Sequence, residues 1–165
     1  MPKRIFILCV EDEPEVLDAV VKDLSAFEDL FPIETTRSVE EARAAVARIQ
    51  EAKEALGLVL CDHLMPGDNG VEFLIELYRD PHTATTRKVL LTGQAGLEAT
   101  VRAVNYANLD FYILKPWLKE KLVGAVRQQL KSYLIAHERD LQLYASLFGD
   151  RELAEATMSK FPGAN

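Results

Sequence analysis

The strongest constraint on the fold of this chain is the alternation of short apolar runs with amphipathic helical patterns. Three of the runs, at 4–10, 56–61 and 88–91, are those expected for strands that are covered on both faces of a sheet, and the run at 32–37 is weaker and typical of an edge strand. The strands are predicted at 4–10, 32–37, 56–61, 88–91 and 109–114. The helices are predicted at 14–24, 38–55, 71–78, 97–107 and from 117 onward.

Five strand–helix units in succession predict an α/β fold with a parallel sheet and helices on both of its faces. Sheets of this size are flavodoxin-like and doubly wound, with the strand order 2-1-3-4-5. In such a sheet, ligands bind at the carboxyl ends of the strands, near the point where the strand order reverses. The residues that end the strands are therefore the first candidates for a functional site.

Polar side chains end four of the five predicted strands. Glu11 and Asp12 follow the first strand, and Asp62 follows the third. Thr92 and Lys115 end the fourth and the fifth. Three carboxylates that meet at one edge repel one another unless a cation lies between them, and Mg²⁺ prefers such hard oxygen ligands. A metal, a lysine and a hydroxyl around one carboxylate are the groups needed for phosphoryl transfer.

Each of these residues also has an ordinary structural explanation. Acidic residues before a helix favour its dipole, and an Asp after a strand often stabilises a turn. A Lys-Pro pair often does no more than end a strand. The placement of all of them at the same predicted edge of one sheet favours a functional site.

Four separate segments of the chain resemble the motifs of bacterial two-component response-regulator receiver domains. They are VEDEP at 10–14, DHLMPG at 62–67, LLTGQA at 90–95 and FYILKPW at 111–117. Their order and spacing agree with that family over roughly residues 4–125. The resemblance implies phosphorelay signal transduction, in which the domain accepts a phosphoryl group and changes conformation.

The resemblance also implies a phosphoacceptor and its metal. Asp62 would take the phosphoryl group from a sensor histidine kinase or a phosphotransfer protein. Asp12 and Asp62 would bind Mg²⁺ directly, together with the backbone carbonyl of Leu64. Glu11 stands where the family more often has Asp, and it would act through a metal-bound water.

Three further residues take roles from the resemblance. Lys115 would bind the phosphoryl oxygens, and Thr92 would bind them after activation. Tyr112, three residues before the lysine, would be the aromatic switch residue. The domain would catalyse only its own phosphorylation and dephosphorylation. His63, next to the acceptor, is expected to be neither a ligand nor a phosphate carrier.

Composition narrows the classes of partner. The formal net charge is −7, and an acidic domain repels the phosphates of nucleic acids. Direct nucleic-acid binding is therefore not expected. The two cysteines, Cys9 and Cys61, end apolar runs and are predicted to be buried without a disulfide. No apolar run is long enough to cross a membrane, so a cytoplasmic protein is expected.

The chain continues beyond the expected end of a receiver domain, which divides it into a receiver domain at 1–128 and a helical extension at 129–165. Apolar residues and one histidine follow a heptad pattern along a predicted continuous helix at 117–148. They are Leu130, Leu134, His137, Leu141, Tyr144 and Phe148. This seam predicts either a homodimer through the C-terminal helix or packing of the helix onto its own domain.

Two other functions are compatible with some of these residues. A phosphatase of the haloacid dehalogenase type also ends its strands with Asp, Thr and Lys, but it needs a second Asp where this chain has Leu64. A receiver-like scaffold that no longer takes phosphate is disfavoured by the presence of Asp62, Thr92 and Lys115.

Overall fold

The computed structural model of the chain describes residues 3–65, 68–93, 96–137 and 141–149. Five parallel strands form one sheet in the order β2-β1-β3-β4-β5, which confirms the predicted topology. They are β1 Ile5–Val10, β2 Ile33–Thr36, β3 Ala55–Asp62, β4 Arg87–Thr92 and β5 Phe111–Leu114. β2 lies at the edge of the sheet, as its weaker apolar pattern indicated.

Helices alternate with the strands. They are α1 Pro14–Asp23, α2 Val39–Glu51, α3 Gly70–Arg79, α4 Leu97–Tyr106 and α5 Lys119–His137. The Ser38 hydroxyl accepts a hydrogen bond from the Glu41 amide at the start of α2, as predicted. The Glu41 carboxylate accepts from the Arg37 amide and completes this cap. None of the helices in the described ranges is both long and apolar enough to cross a membrane.

The core has two layers, one on each face of the sheet. One layer joins β1, β3, β4 and β5 to α1 and α5, and the other joins the sheet to α2 and α3 and to Ala103 of α4. Cys9 and Cys61 are buried and free, one in each layer, which confirms their predicted burial. The layered core fixes the carboxyl ends of β1, β3, β4 and β5 at one edge of the sheet.

The predicted continuous helix at 117–148 is wrong. α5 ends at His137, and the chain resumes as a 3₁₀ helix at Leu141–Tyr144 followed by the short α6 at Ala145–Phe148. His137 is exposed and is not a member of the apolar stripe, whereas Leu130 and Leu134 are fully buried. The heptad spacing therefore does not correspond to a single helical face.

The apolar residues of the extension pack onto the domain itself. The Tyr144 ring stacks on the Phe31 ring at a centroid distance of 5.3 Å, and the Phe148 ring contacts it edge-on at 6.4 Å. The Arg127 guanidinium donates a hydrogen bond to the Leu147 carbonyl at 2.8 Å. In the described part of the extension, the apolar residues of the predicted seam are therefore buried against their own domain. Residues 150–165 of the predicted extension lie outside the described part of the chain.

Candidate functional site

Three carboxylates meet at the carboxyl edge of the sheet. β1 pairs with β3 so that Val10 lies opposite Cys61, and the next residues in each strand direction, Glu11 and Asp62, are therefore neighbours. One carboxylate oxygen from each of Glu11, Asp12 and Asp62 lies within 4.8 Å of the other two. Glu11 and Asp62 are buried, and Asp12 is half-buried. Parallel strand register thus produces the predicted acidic cluster.

Lys115 reaches this cluster from β5, across the intervening strand β4. Its Nζ lies 3.1 Å from Glu11 Oε2 and 3.3 Å from Asp62 Oδ1. The Lys115 amide donates a hydrogen bond to the Thr92 carbonyl at 2.8 Å, which extends the β4–β5 pairing past the end of β5. The Lys115–Pro116 peptide bond is cis. The two distances place the Lys115 ammonium between two of the three carboxylates, those of Glu11 and Asp62.

Burial and neighbouring charge shift two pKa values in this cluster. Burial and the Asp62 charge raise the pKa of Glu11, and its contacts with Lys115 and with the Glu13 amide offset this only in part. Burial acts to lower the pKa of Lys115, but the charges of Asp62 and Glu11 outweigh it and the pKa is raised. The lysine is therefore charged, and one ammonium faces three carboxylates. The excess negative charge and the hard oxygen donors fit Mg²⁺.

The other predicted residues surround this cluster to different degrees. Thr92 ends β4, is buried, and donates its hydroxyl hydrogen bond to the Gly93 carbonyl at 3.2 Å. Leu64 begins a short hairpin in which Leu64–Met65 pairs antiparallel with Asp68–Asn69. Tyr112 lies on β5 with half of its side chain exposed, away from the cluster. The structure thus brings the acids and Lys115 together and leaves Tyr112 on the surface.

Two glycines in the site have a role that sequence reasoning missed. A Cβ at Gly70 would lie 1.9 Å from the Asp62 carbonyl oxygen, and a Cβ at Gly96 would lie 1.7 Å from the Thr92 hydroxyl oxygen. No side chain fits at either position without displacing a candidate site residue. In both cases the glycine stands at the start of a helix, Gly70 as the first residue of α3 and Gly96 directly before α4.

His63 is closer to the site than its sequence context indicated. Its Nδ1 lies 3.9 Å from Asp62 Oδ1. Among the described residues, this is the one buried side-chain polar atom that has no hydrogen-bond partner. Buried polar atoms are almost always hydrogen-bonded, so an unpaired one beside the central carboxylate is a feature of the site.

Together these features define a class of protein. The chain is a flavodoxin-like α/β domain whose carboxyl edge holds acidic residues, a lysine and a threonine around one buried aspartate. The chain belongs to the response regulator receiver domain family, which it matches over residues 7–127. It is therefore a receiver domain of phosphorelay signalling, as its motifs predicted.

Similar proteins include transcriptional regulators. The hydrogenase transcriptional regulatory protein HoxA of Cupriavidus necator is 34% identical over 147 residues, which cover 87% of this chain and 28% of HoxA. The phosphate regulon transcriptional regulatory protein PhoB of Escherichia coli is 30% identical, over 76% of this chain and 51% of PhoB. This chain thus spans about half or less of the length of these two relatives.

Solved structures agree on the fold. A CheY-like response regulator receiver domain protein from Methanospirillum hungatei is 26% identical, with a TM-score of 0.67 over 82% of this chain and 100% of that one. The signal receiver domain of an HD domain-containing protein from Pseudomonas fluorescens is 24% identical, with a TM-score of 0.69 over 79% of this chain and 98% of that one.

Proposed function

We propose that Asp62 is the phosphoacceptor of this receiver domain. The observation that carries the proposal is the contact of its carboxylate with Lys115 at 3.3 Å inside a buried acidic cluster. Burial strengthens the electrostatic effect of each group around Asp62, because the local dielectric is low. An aspartate in such a setting can accept a phosphoryl group whose charge is balanced by its surroundings.

The acidic cluster also supports a metal site. Glu11, Asp12, Asp62 and the backbone carbonyl of Leu64 would hold Mg²⁺, with Glu11 acting through a bound water. When bound, Mg²⁺ would neutralise charge on the phosphoryl oxygens. Burial first, and the Asp62 charge second, raise the pKa of Glu11, which supports this assignment because a bound cation would offset both effects.

The chemistry at Asp62 would be a single in-line transfer. A carboxylate oxygen of Asp62 attacks the phosphorus of a phosphohistidine, the phosphorus–nitrogen bond breaks, and the imidazole leaves with its electron pair. Lys115 carries a fixed positive charge that would bind a phosphoryl oxygen. Thr92 would donate its hydroxyl to another oxygen, which requires it to leave its present acceptor, the Gly93 carbonyl. The domain would catalyse only this transfer and the later hydrolysis.

A groove beside Lys115 supports a protein as the phosphoryl donor. It lies between α1 and the segment that follows β5, has a volume of about 570 Å³, and is lined on one side by Pro116 and Trp117. Glu13, Glu15 and Asp23 are the carboxylates among its other lining residues, and the Trp117 indole donates to Asp23 at 2.9 Å. An apolar groove with an acidic rim fits a basic helix of a histidine kinase or phosphotransfer protein.

A second surface supports the switch role of Tyr112. Eight large apolar side chains on and around α4 and β5 are 38% to 75% exposed: Leu97, Val101, Val104, Tyr106, Phe111, Tyr112, Leu114 and Leu118. We call this set the α4–β5 face. A large exposed apolar patch marks an interaction site. We propose that it binds protein rather than nucleic acid, and that phosphorylation changes it through Tyr112.

Phosphorylation of the chain tests the central assignment. Incubation with acetyl phosphate and Mg²⁺ should add one phosphoryl group, detected as a mass increase of the intact protein. Asp62→Asn should abolish the increase, and the matched change Asp18→Asn on the exposed side of α1 should leave it unchanged. A mass increase that survives Asp62→Asn would contradict the proposal.

A further inference from the structure

The opposite edge of the sheet, at the amino ends of the strands, holds a groove that phosphorelay chemistry does not use. Two hollows of about 550 Å³ and 310 Å³ lie there side by side. Both are lined by Thr85, Thr86, Tyr133 and His137, so they form one continuous feature, which we call the base groove. Its size is that of pockets that bind small organic molecules.

The base groove exists because α5 continues past the length expected for a receiver domain. Tyr133 and His137 lie in the last two turns of α5 and form one wall. The exposed His137 ring lies 4.5 Å from the Tyr133 ring at a tilt of 32°. Tyr133 itself is buried in the core, so the ring that the wall exposes is that of His137. Apolar side chains of Ile49 and Leu56 line the larger hollow. The extension thus adds a wall that can contact a flat or apolar group.

The larger hollow carries an excess of positive charge in a chain whose net charge is −7. Lys3 and Lys53 both line it, and neither forms an ion pair with another residue in the described ranges. Glu54 is the one carboxylate among its lining residues, and its charge is balanced by Arg4, which binds it through both its amide and its guanidinium. Two lysine charges therefore remain for a ligand.

Lys53 occupies a backbone conformation that disfavours its residue type. Its φ is +58°, in the left-handed region. Its amide donates to the Gln50 carbonyl and the Glu54 amide donates to the Ile49 carbonyl, each at 3.0 Å, which is the Schellman arrangement at the end of α2. Glycine is the usual residue at this position, because a side chain there is strained. Strained positions that keep a charged side chain are found at binding sites.

We propose that the base groove binds a small organic phosphate of nucleotide size. Lys3 and Lys53 supply point charges for the phosphate, and Thr85 lines the same hollow. The hydroxyls of Thr83 and Thr86 are not part of the site, because they already donate to the Leu77 and Leu56 carbonyls. The exposed His137 ring, which packs on Tyr133, would face the planar or apolar part of the ligand. The site is distinct from the acidic cluster, which would repel the same ligand in the absence of a metal.

AMP is a suitable probe, because it joins one phosphate to one planar base. The full chain should be titrated with AMP in the presence of EDTA, by calorimetry and by amide chemical shifts. We expect saturable binding that shifts the amides of Lys53, Thr85 and Thr86 and leaves those of Asp62 and Thr92 unchanged. Adenosine, which has no phosphate, should bind at least about tenfold more weakly, since a charge-assisted contact is lost.

The variant Lys53→Gly removes the charge of Lys53 without straining the backbone at the end of α2. Glycine tolerates the left-handed conformation, so the melting temperature should be equal or higher, while AMP affinity falls about tenfold or more. Lys22→Gln removes one positive charge from the end of α1 and should leave the affinity unchanged. Three outcomes would overturn the proposal: no AMP binding at millimolar concentration, equal affinity in Lys53→Gly, or inorganic phosphate binding as tightly as AMP.

Discussion

The carboxyl edge of the sheet brings together more negative than positive charge. The carboxylates of Glu11, Asp12 and Asp62 lie together, and the Lys115 ammonium contacts only Glu11 and Asp62, so the cluster keeps an excess of negative charge. Repulsion of this kind opposes folding until a cation binds. The residues that prepare the site for a cation are therefore expected to reduce stability in its absence.

Removing one carboxylate should uncouple stability from Mg²⁺. A ligand that binds only the folded state raises its stability by mass action, so Mg²⁺ should raise the melting temperature of the wild-type protein. Asp12→Asn should abolish most of this rise and leave the melting temperature without Mg²⁺ equal or higher. Thermal melts at several Mg²⁺ concentrations measure both effects. Asp18→Asn is the control, and an equal Mg²⁺ effect in Asp12→Asn would contradict the metal assignment.

Lys88 is a charged residue in the core, and it predicts a dependence of stability on pH. Its ammonium donates to the carbonyls of Thr86 at 2.8 Å and Ala84 at 3.2 Å and lies over the Tyr78 ring. Burial lowers its pKa from 10.5 to about 8, although the Asp110 charge opposes this. Between these two pH values the unfolded chain binds more protons than the folded chain. The buried Lys88 charge therefore lowers the free energy of unfolding at pH 7, and this loss disappears as the pH rises.

The variant Lys88→Met isolates this effect. The free energy of unfolding of the wild type, minus that of Lys88→Met, should increase by about 1–3 kcal/mol between pH 8 and pH 10. Other groups that titrate in this range contribute to both proteins and cancel. Denaturant unfolding at each pH gives the difference. Lys22→Met, on the surface of α1, should show no such trend, and a flat difference for Lys88→Met would mean that the amine is charged throughout.

At the scale of elements, the extension illustrates a limit of periodicity. Steps of three and four residues from Leu130 to Phe148 predict one helical face, yet the helix ends at His137 and the later residues reach the core through a separate 3₁₀ turn. The spacing predicts that these residues are buried, but it does not identify the surface against which they pack. The partner, Phe31, lies about a hundred residues away in the sequence and carries no local signal.

Truncation of one aromatic tests this packing. Phe148→Ala should lower the free energy of unfolding by about 3 kcal/mol, because it leaves a cavity beside Phe31. Leu143→Ala, in the same segment but largely exposed, should change it by no more than about 0.5 kcal/mol. Denaturant unfolding gives both values. If the segment instead pairs with a second chain, light scattering would show that the wild type is a dimer and that Phe148→Ala dissociates it.

Most of the site followed from the sequence because parallel strands bring their carboxyl ends to one edge. That rule alone places Glu11, Asp12, Asp62 and Lys115 together, and the structure confirms their proximity. It gives no side-chain directions, so the position of His63 Nδ1 beside Asp62 was not foreseen. The close approach of Gly70 and Gly96 also depends on backbone distances that residue types do not encode.

At the scale of the whole molecule, the acidic cluster and the α4–β5 face are joined by two paired strands. β4 ends at Thr92, which lies opposite Leu114, and Leu90 lies opposite Tyr112 on β5. The Gly96 amide donates to the Gly93 carbonyl, and Gly96, which directly precedes α4, lies against the Thr92 hydroxyl. A movement of Thr92 toward a phosphoryl group would therefore displace backbone atoms of α4 and β5, the two elements that carry the α4–β5 face.

Hydrogen exchange in the presence of a phosphoryl analogue tests this connection. With beryllofluoride and Mg²⁺, amides of α4 and β5 should change their exchange rates, because Thr92 must leave the Gly93 carbonyl to contact the analogue. Amides of α2, which packs against β1, β2 and β3, should keep their exchange rates. Asp62→Asn should abolish the effect, and Tyr112→Ala should retain binding of the analogue but alter the response of β5. Changes spread evenly over α2 and α4 would show that the analogue stabilises the fold globally and that the α4–β5 face is not a specific output surface.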